Sequence, residues 1–292
     1  MAKKLRWAQH AYGILDRMKG GKRPRGFTVV ETLIVLAVTG GLFLAIAATL
    51  SGRQQRTQFQ QSINDIRAQI EQVIGDVGNG FFPSTGTFKC MATGGGIVIN
   101  SGTVGQGENT GCVFLGKAMQ FQISGTDPEE YDVFTIAGLQ RTSSGQEVTT
   151  YAQAQPLAIS PSTSHPSIPD AVDKRTLQYG LTTLWARYGV ANTPIGAVAF
   201  TTSLASYNGN SLVSGAQQTN VIPITGSSLN VTQQAAAEEI NTQLASSPIN
   251  PTGGIHICFV SGGSNQSGLI TIGSNGRQLS VTLDIKDNKT CT

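Results

Sequence analysis

Few side chains in this 292-residue chain are equipped for chemistry. The three histidines are His10 in a basic N-terminal stretch, His165 in a Ser/Pro-rich segment and His256 between Ile255 and Ile257. No spacing joins them to a nucleophile and an orienting carboxylate, as acyl transfer requires. His256 alternates with apolar residues and reads as an ordinary sheet histidine. Gly102-Thr103-Val104-Gly105-Gln106-Gly107 is glycine-rich, but the Lys-Ser or Lys-Thr of a phosphate-cradling loop does not follow, so it reads as a flexible loop. Asp127-Pro128-Glu129-Glu130 with Asp132 offers oxygen ligands for a weakly held calcium ion, yet the same residues suit a turn leading into a strand. The expectation is a protein without enzymatic activity, cofactor or metal.

The cysteines Cys90, Cys112, Cys258 and Cys291 form no C-x-x-C pair, which removes the usual zinc and thioredoxin-like spacings. An even number beyond an export signal reads as disulfides. Three pairings exist for four cysteines. Cys90–Cys112 and Cys258–Cys291 are expected because each closes a short local loop.

The costliest side chain is Glu31. It is the one charged residue in the apolar run 27–50, FTVVETLIVLAVTGGLFLAIAATL. As a helix rising 1.5 Å per residue this run spans about 36 Å, enough to cross a bilayer. An ionised carboxylate in hydrocarbon costs about 2.5–3.5 kcal/mol even on lenient scales, so Glu31 asks for a reason. Lys19, Lys22, Arg23 and Arg25 precede the run and should stay cytoplasmic, sending the rest of the chain outward. The first 26 residues hold eight of the twenty Lys and Arg against one acid, Asp16, leaving twelve basic and sixteen acidic groups, net −4, in the remainder. A nucleic-acid reading drawn from the overall charge of +3 would therefore rest on the leader.

Arg25-Gly26-Phe27-Thr28-Val29-Val30-Glu31 resembles the class III signal of type IV pilins and type II secretion pseudopilins. The resemblance implies a leader, residues 1–26, removed by a membrane prepilin peptidase between Gly26 and Phe27, with Phe27 then N-methylated. It implies an assembly role for Glu31, whose carboxylate meets the N-terminal amine of a neighbouring subunit. Two charges that are each costly in an apolar bundle become tolerable as a pair, and a wrong register leaves one unpaired. The implied partners are identical or related pilin subunits, the prepilin peptidase, an inner-membrane assembly platform and the membrane itself. The implied location is the cytoplasmic membrane for the precursor and an extracellular or periplasmic filament for the product. DNA or a host surface enters only through the family, since no basic patch interleaved with aromatics supports it.

The elements follow from periodicity. After Leu50, Ile63, Ile66, Ile70, Val73 and Val77 recur at three- and four-residue spacings among charged residues, predicting one helix that continues to about Asp76 and docks its apolar stripe on the following domain. Gly75, Gly78, Gly80 and Pro83 are its expected stop. Gly40-Gly41 inside the apolar part suits either close helix packing or local unwinding. Beyond residue 81 a Gly/Ser/Thr/Asn/Val-rich composition predicts strands at 97–99, 112–115, 119–124, 131–136, 197–202 and 255–260. A hairpin is expected from 269–272 and 279–285 about Asn275-Gly276. The stretch 140–174 reads as a long Ser/Thr/Pro-rich surface loop, and 233–244 as a short helix. The 255–285 pattern is similar to the sheet end of GspH/FimT-like minor pilins. The expected class is α+β, with helix 27–80, membrane-spanning over 27–50, on a largely antiparallel domain 81–292. A non-polymerising, single-pass anchored binding protein is the competing reading.

Overall fold

The computed structural model describes residues 26–79, 88–93, 96–101, 112–121, 128–160, 172–202, 219–226, 233–247, 249–274 and 279–291. A long helix, α1 (Val29–Gly78), precedes a β-rich, antiparallel domain, an α+β arrangement. The chain divides into two compact units between Ser51 and Gly52, inside α1. The amphipathic part of α1 falls in the second unit, and its apolar stripe lies in that unit's core.

In the first unit every described side chain from Gly26 to Ala47 is exposed. In the second, Phe59, Ile63, Ile66, Ile70, Val73 and Val77 are buried, a stripe at helical spacing. They pack with Phe121, Tyr131, Phe200, Ile257, Phe259 and Ile270 in the main core. Gly268 allows the closest approach, since a Cβ there would lie 2.6 Å from Ile63 Cγ1. Gly75 and Gly78 lie within α1 rather than ending it by Asp76. Its last turn is held by buried Val77 and by Asp76, whose carboxylate is 2.6 Å from Lys117 Nζ.

Two larger sheets share that core. The strands β3 (Cys112–Phe121), β4 (Glu130–Leu139), β5 (Leu157–Ala158), β6 (Val172–Thr176), β9 (Ala197–Thr202) and β10 (Thr219–Ile224) form one, ordered β10-β9-β3-β4-β5 with β6 also on β4. The strands β7 (Leu181–Tyr188), β8 (Thr193–Pro194), β11 (Ile255–Ser261), β12 (Ser267–Ser274) and β13 (Leu279–Lys286) form the other, ordered β13-β12-β11-β7-β8. A hairpin of β1 (Phe88–Thr93) and β2 (Gly96–Ser101) places Ile99 against Ala137 and Ile159. The opposite face of the first sheet is covered by α3 (Gln233–Gln243), with Ala236, Ala237 and Ile240 against Phe134, Ile136, Ala199 and Ile222.

Segment 112–115 and the described part of 119–124 prove to be one strand, β3, which is described as far as Phe121; 122–124 lie outside the described residues. A bulge between Phe114 and Gly116 carries β3 past the break in its alternation. A Cβ on Gly116 would lie 2.0 Å from the Phe200 carbonyl oxygen, so only glycine fits there. The 140–174 stretch is not a plain loop in its described parts. It contains a one-turn helix, α2 (Tyr151–Ala154), β5 and the start of β6, because Ala154, Ala158 and Ile159 are small or apolar enough to be fully buried. The turn at Asn275-Gly276 lies outside the described residues. Its flanking strands pair from Ser267↔Lys286 to Ser274↔Leu279, with Leu279, Val281, Leu283 and Ile285 facing the core.

Candidate functional site

The distinctive surface is the start of α1. Gly26 and Phe27 precede the helix, so the peptide bond between them lies outside regular structure, and the Phe27 side chain is 76% exposed. The helix begins with a reciprocal cap. The Glu31 N–H donates to Thr28 Oγ1 at 3.3 Å, and the Thr28 N–H donates to Glu31 Oε2 at 3.4 Å. This is the Thr-x-x-Glu capping box, which satisfies two helix-terminal donors that would otherwise stay unpaired. It gives Glu31 a local role. The residue missed in the sequence is Thr28, whose hydroxyl three places ahead of a glutamate was the available signal.

The next turns hide their polar groups from the helix surface. Thr32 Oγ1 donates to the Val29 carbonyl at 2.8 Å and Thr39 Oγ1 to the Val35 carbonyl at 2.7 Å. Both hydroxyls are thereby spent internally. The outward surface that remains includes Leu33, Ile34, Leu36, Leu42, Phe43 and Leu44, all more than half exposed. The segment is long and apolar enough to cross a membrane by length and composition, as an anchor or a signal sequence would be. Gly40 and Gly41 lie in unbroken helix, and a Cβ on either would meet open space.

No protein-family model, curated protein or solved structure matches the chain.

The remaining candidates are structural where they are described. Cys258 and Cys291 form a disulfide with Cα atoms 6.0 Å apart, and both are buried. Cys291 donates its N–H to Ser267 Oγ at 3.1 Å, fastening the C-terminal tail on β12. Cys112 is also disulfide-bonded, while the side chain of its expected partner, Cys90, lies outside the described residues. His256 is engaged at both ring nitrogens, with Nε2 2.9 Å from the Gly253 carbonyl and Nδ1 3.1 Å from Thr271 Oγ1. His10, His165, Asp127 and the glycine-rich loop 102–107 lie outside the described residues. Among the described residues no three metal-ligating side chains gather. Of the acids after Asp127, Glu130 pairs with Lys174 at 2.5 Å and Asp132 accepts from Gln233 Nε2 at 3.0 Å.

Several fastenings were not legible in the sequence. Arg56 on α1 meets Asp287 of the tail at 2.5 Å, and its hydrogen bond, with that of Gln266, holds the Asp287 carboxyl below the usual range. Arg175 joins Asp173 at 2.6 Å and reaches Gln69 of α1 at 3.2 Å. Its guanidinium is held above its ordinary range chiefly by the Asp173 hydrogen bond. Burial raises the neighbouring Tyr131 phenol. These ties anchor the second half of α1 to the sheets.

Proposed function

We propose that this chain is a prepilin-type filament subunit of a type IV pilus or type II secretion-like pseudopilus, without enzymatic activity of its own. Prepilin peptidase cuts between Gly26 and Phe27 at the cytoplasmic membrane face, and the mature chain assembles through its N-terminal helix. Its partners are identical or related subunits, the peptidase and an inner-membrane assembly platform. Its product is an extracellular or periplasmic filament serving adhesion or secretion.

The observation that carries this reading is the division of labour along α1. The apolar part, with one carboxylate at its start, is exposed, and the amphipathic part is consumed by the domain core. A helix with an exposed apolar surface needs another apolar medium, first lipid and then the matching helices of other subunits. The Gly26–Phe27 segment lies outside the helix, which suits a peptidase that needs backbone free of helix.

The Thr28–Glu31 cap favours a second reading, a single-pass anchored protein that never polymerises, because it employs Glu31 without any neighbour. Mass spectrometry of the mature N-terminus separates the two: a methylated Phe27 is the expected result, and an uncut chain or a cut beyond Ala45 sinks the filament reading. Glu31→Ala should abolish assembly while sparing membrane insertion. Filaments at normal number containing the altered subunit would reduce Glu31 to a helix cap.

A further inference from the structure

Away from α1, the six-stranded sheet carries an unusual polar corner under the first turn of α3. Gln120 on β3 lies directly opposite Asp132 on β4, and both face α3, as do Ala118 and Phe134 beside them. Side chains so paired start about 4.5–5.5 Å apart at Cβ. Both are almost fully buried, Gln120 at 1% exposure and Asp132 at 2%. Asp132 Oδ1 accepts from Gln233 Nε2 at 3.0 Å, while Gln120 Oε1 is buried and has no hydrogen-bond partner. An amide oxygen and a carboxylate both accept only, so an ionised Asp132 offers no donor to Gln120 Oε1 across the register, and that buried oxygen stays unpartnered. One proton on Asp132 turns that conflict into a hydrogen bond.

The surrounding charges do not remove the conflict. Glu130 shares the face from β4, and its carboxylate already takes Lys174 Nζ of β6 at 2.5 Å. Asp173 projects from the opposite face of β6, where Arg175 holds it. From β9 only Ala197 lies opposite Gln120. From α3 the nearest group is Gln233, the first turn has no acid, and Glu239 further along lies beside Gly226. Asp132 is pushed above the usual carboxylate range, by burial first and by Glu130 and Asp173 second, against the Gln233 hydrogen bond and Lys174.

We propose that Asp132 is a neutral carboxylic acid in the folded protein, donating its proton to Gln120 Oε1, and that its ionisation unfastens the first turn of α3 from the β3–β4 corner. The pair is a pH-sensitive clasp on the domain face remote from α1. The sign follows from linkage. Unfolded Asp132 ionises near about pH 4 while the folded group keeps its proton, so stability falls as pH rises above that point and levels once the folded group ionises.

The test is a pH series on the full-length, detergent-solubilised protein. The Asp132 side-chain carboxyl carbon, followed by NMR, should titrate above the range of exposed aspartates. Exchange of the α3 amides, corrected for intrinsic rate, should rise about tenfold between about pH 5 and about pH 8. Asp132→Asn keeps the donor to Gln120 without a titrating group and should flatten that rise, whereas Asp173→Asn should leave it unchanged. An Asp132 carbon that titrates like an exposed aspartate overturns the proposal, as expected if a buried water serves Gln120 instead. Stabilisation by added calcium at neutral pH, lost in Asp132→Asn, also overturns it by showing an anion bound to metal. If Asp132→Asn fails to fold, the wild-type carboxyl titration alone still decides.

Discussion

The two parts of α1 are made of the same kind of residue and meet opposite fates. Before Ser51, Leu33, Ile34, Leu36 and Phe43 cover all sides of the helix and stay exposed; after Gly52, Ile63, Ile66 and Ile70 occupy one stripe and are fully buried. Apolar content alone therefore does not decide burial. Its angular distribution does, because a stripe can be satisfied from one side whereas an apolar cylinder needs an apolar medium all round.

Sharpening this contrast begins with charge substitution. Ile66→Asp puts an unpaired carboxylate into the main core and should cost more than about 4 kcal/mol, unfolding the domain. Ile34→Asp should leave the domain's thermal transition in place while impairing membrane insertion. Paired melting and carbonate-extraction experiments read both, and a domain that melts identically in the two variants would erase the distinction.

Next in size is Cys291→Ser. Opening a loop of 33 residues should destabilise the domain by about 3–4 kcal/mol in denaturant titrations, and reductant, which also opens the Cys112 disulfide, should cost the wild type at least as much. Smaller is Lys117→Met, which leaves Asp76 half-buried without its amine. A loss of about 1.5–3 kcal/mol is expected, with faster amide exchange confined to the last turn of α1. Smallest is Thr28→Ala, which removes one side of the cap. It should cost the helix start about 1 kcal/mol, seen as faster exchange at the Glu31 and Thr32 amides with no change in the domain's melting temperature.

Much of this molecule is periodic in its sequence. The buried stripe on α1, β9 at 197–202, α3 from Gln233 and the alternation of β13 all lie where 3.6- and 2-residue repeats put them. The strands that escaped are instructive. β10 contains Pro223, which demotes a strand on sequence alone, yet β10 ends the order of its sheet, where a missing donor is tolerated. β6, Val-Asp-Lys-Arg-Thr, reads as solvated charge and is a strand because its alternate residues pair with Glu130 on one face and Gln69 on the other. β7 bulges opposite Cys258 and Phe259 and turns Leu184 outward, disrupting the alternation that would have revealed it.

For the candidate site the sequence alone determined the apolar run, its single carboxylate, the basic stretch before it and the helical period beyond, because these are local in the chain. Tertiary structure decided where that helix stops belonging to itself and joins the domain, since burial of Ile63 to Val77 depends on strands more than thirty residues away. It also decided the meeting of Asp132 with Gln120 and Gln233, and of Arg56 with Asp287. Such contacts are set by strand register and helix docking, and no periodicity within either segment encodes the identity of a partner so distant in sequence.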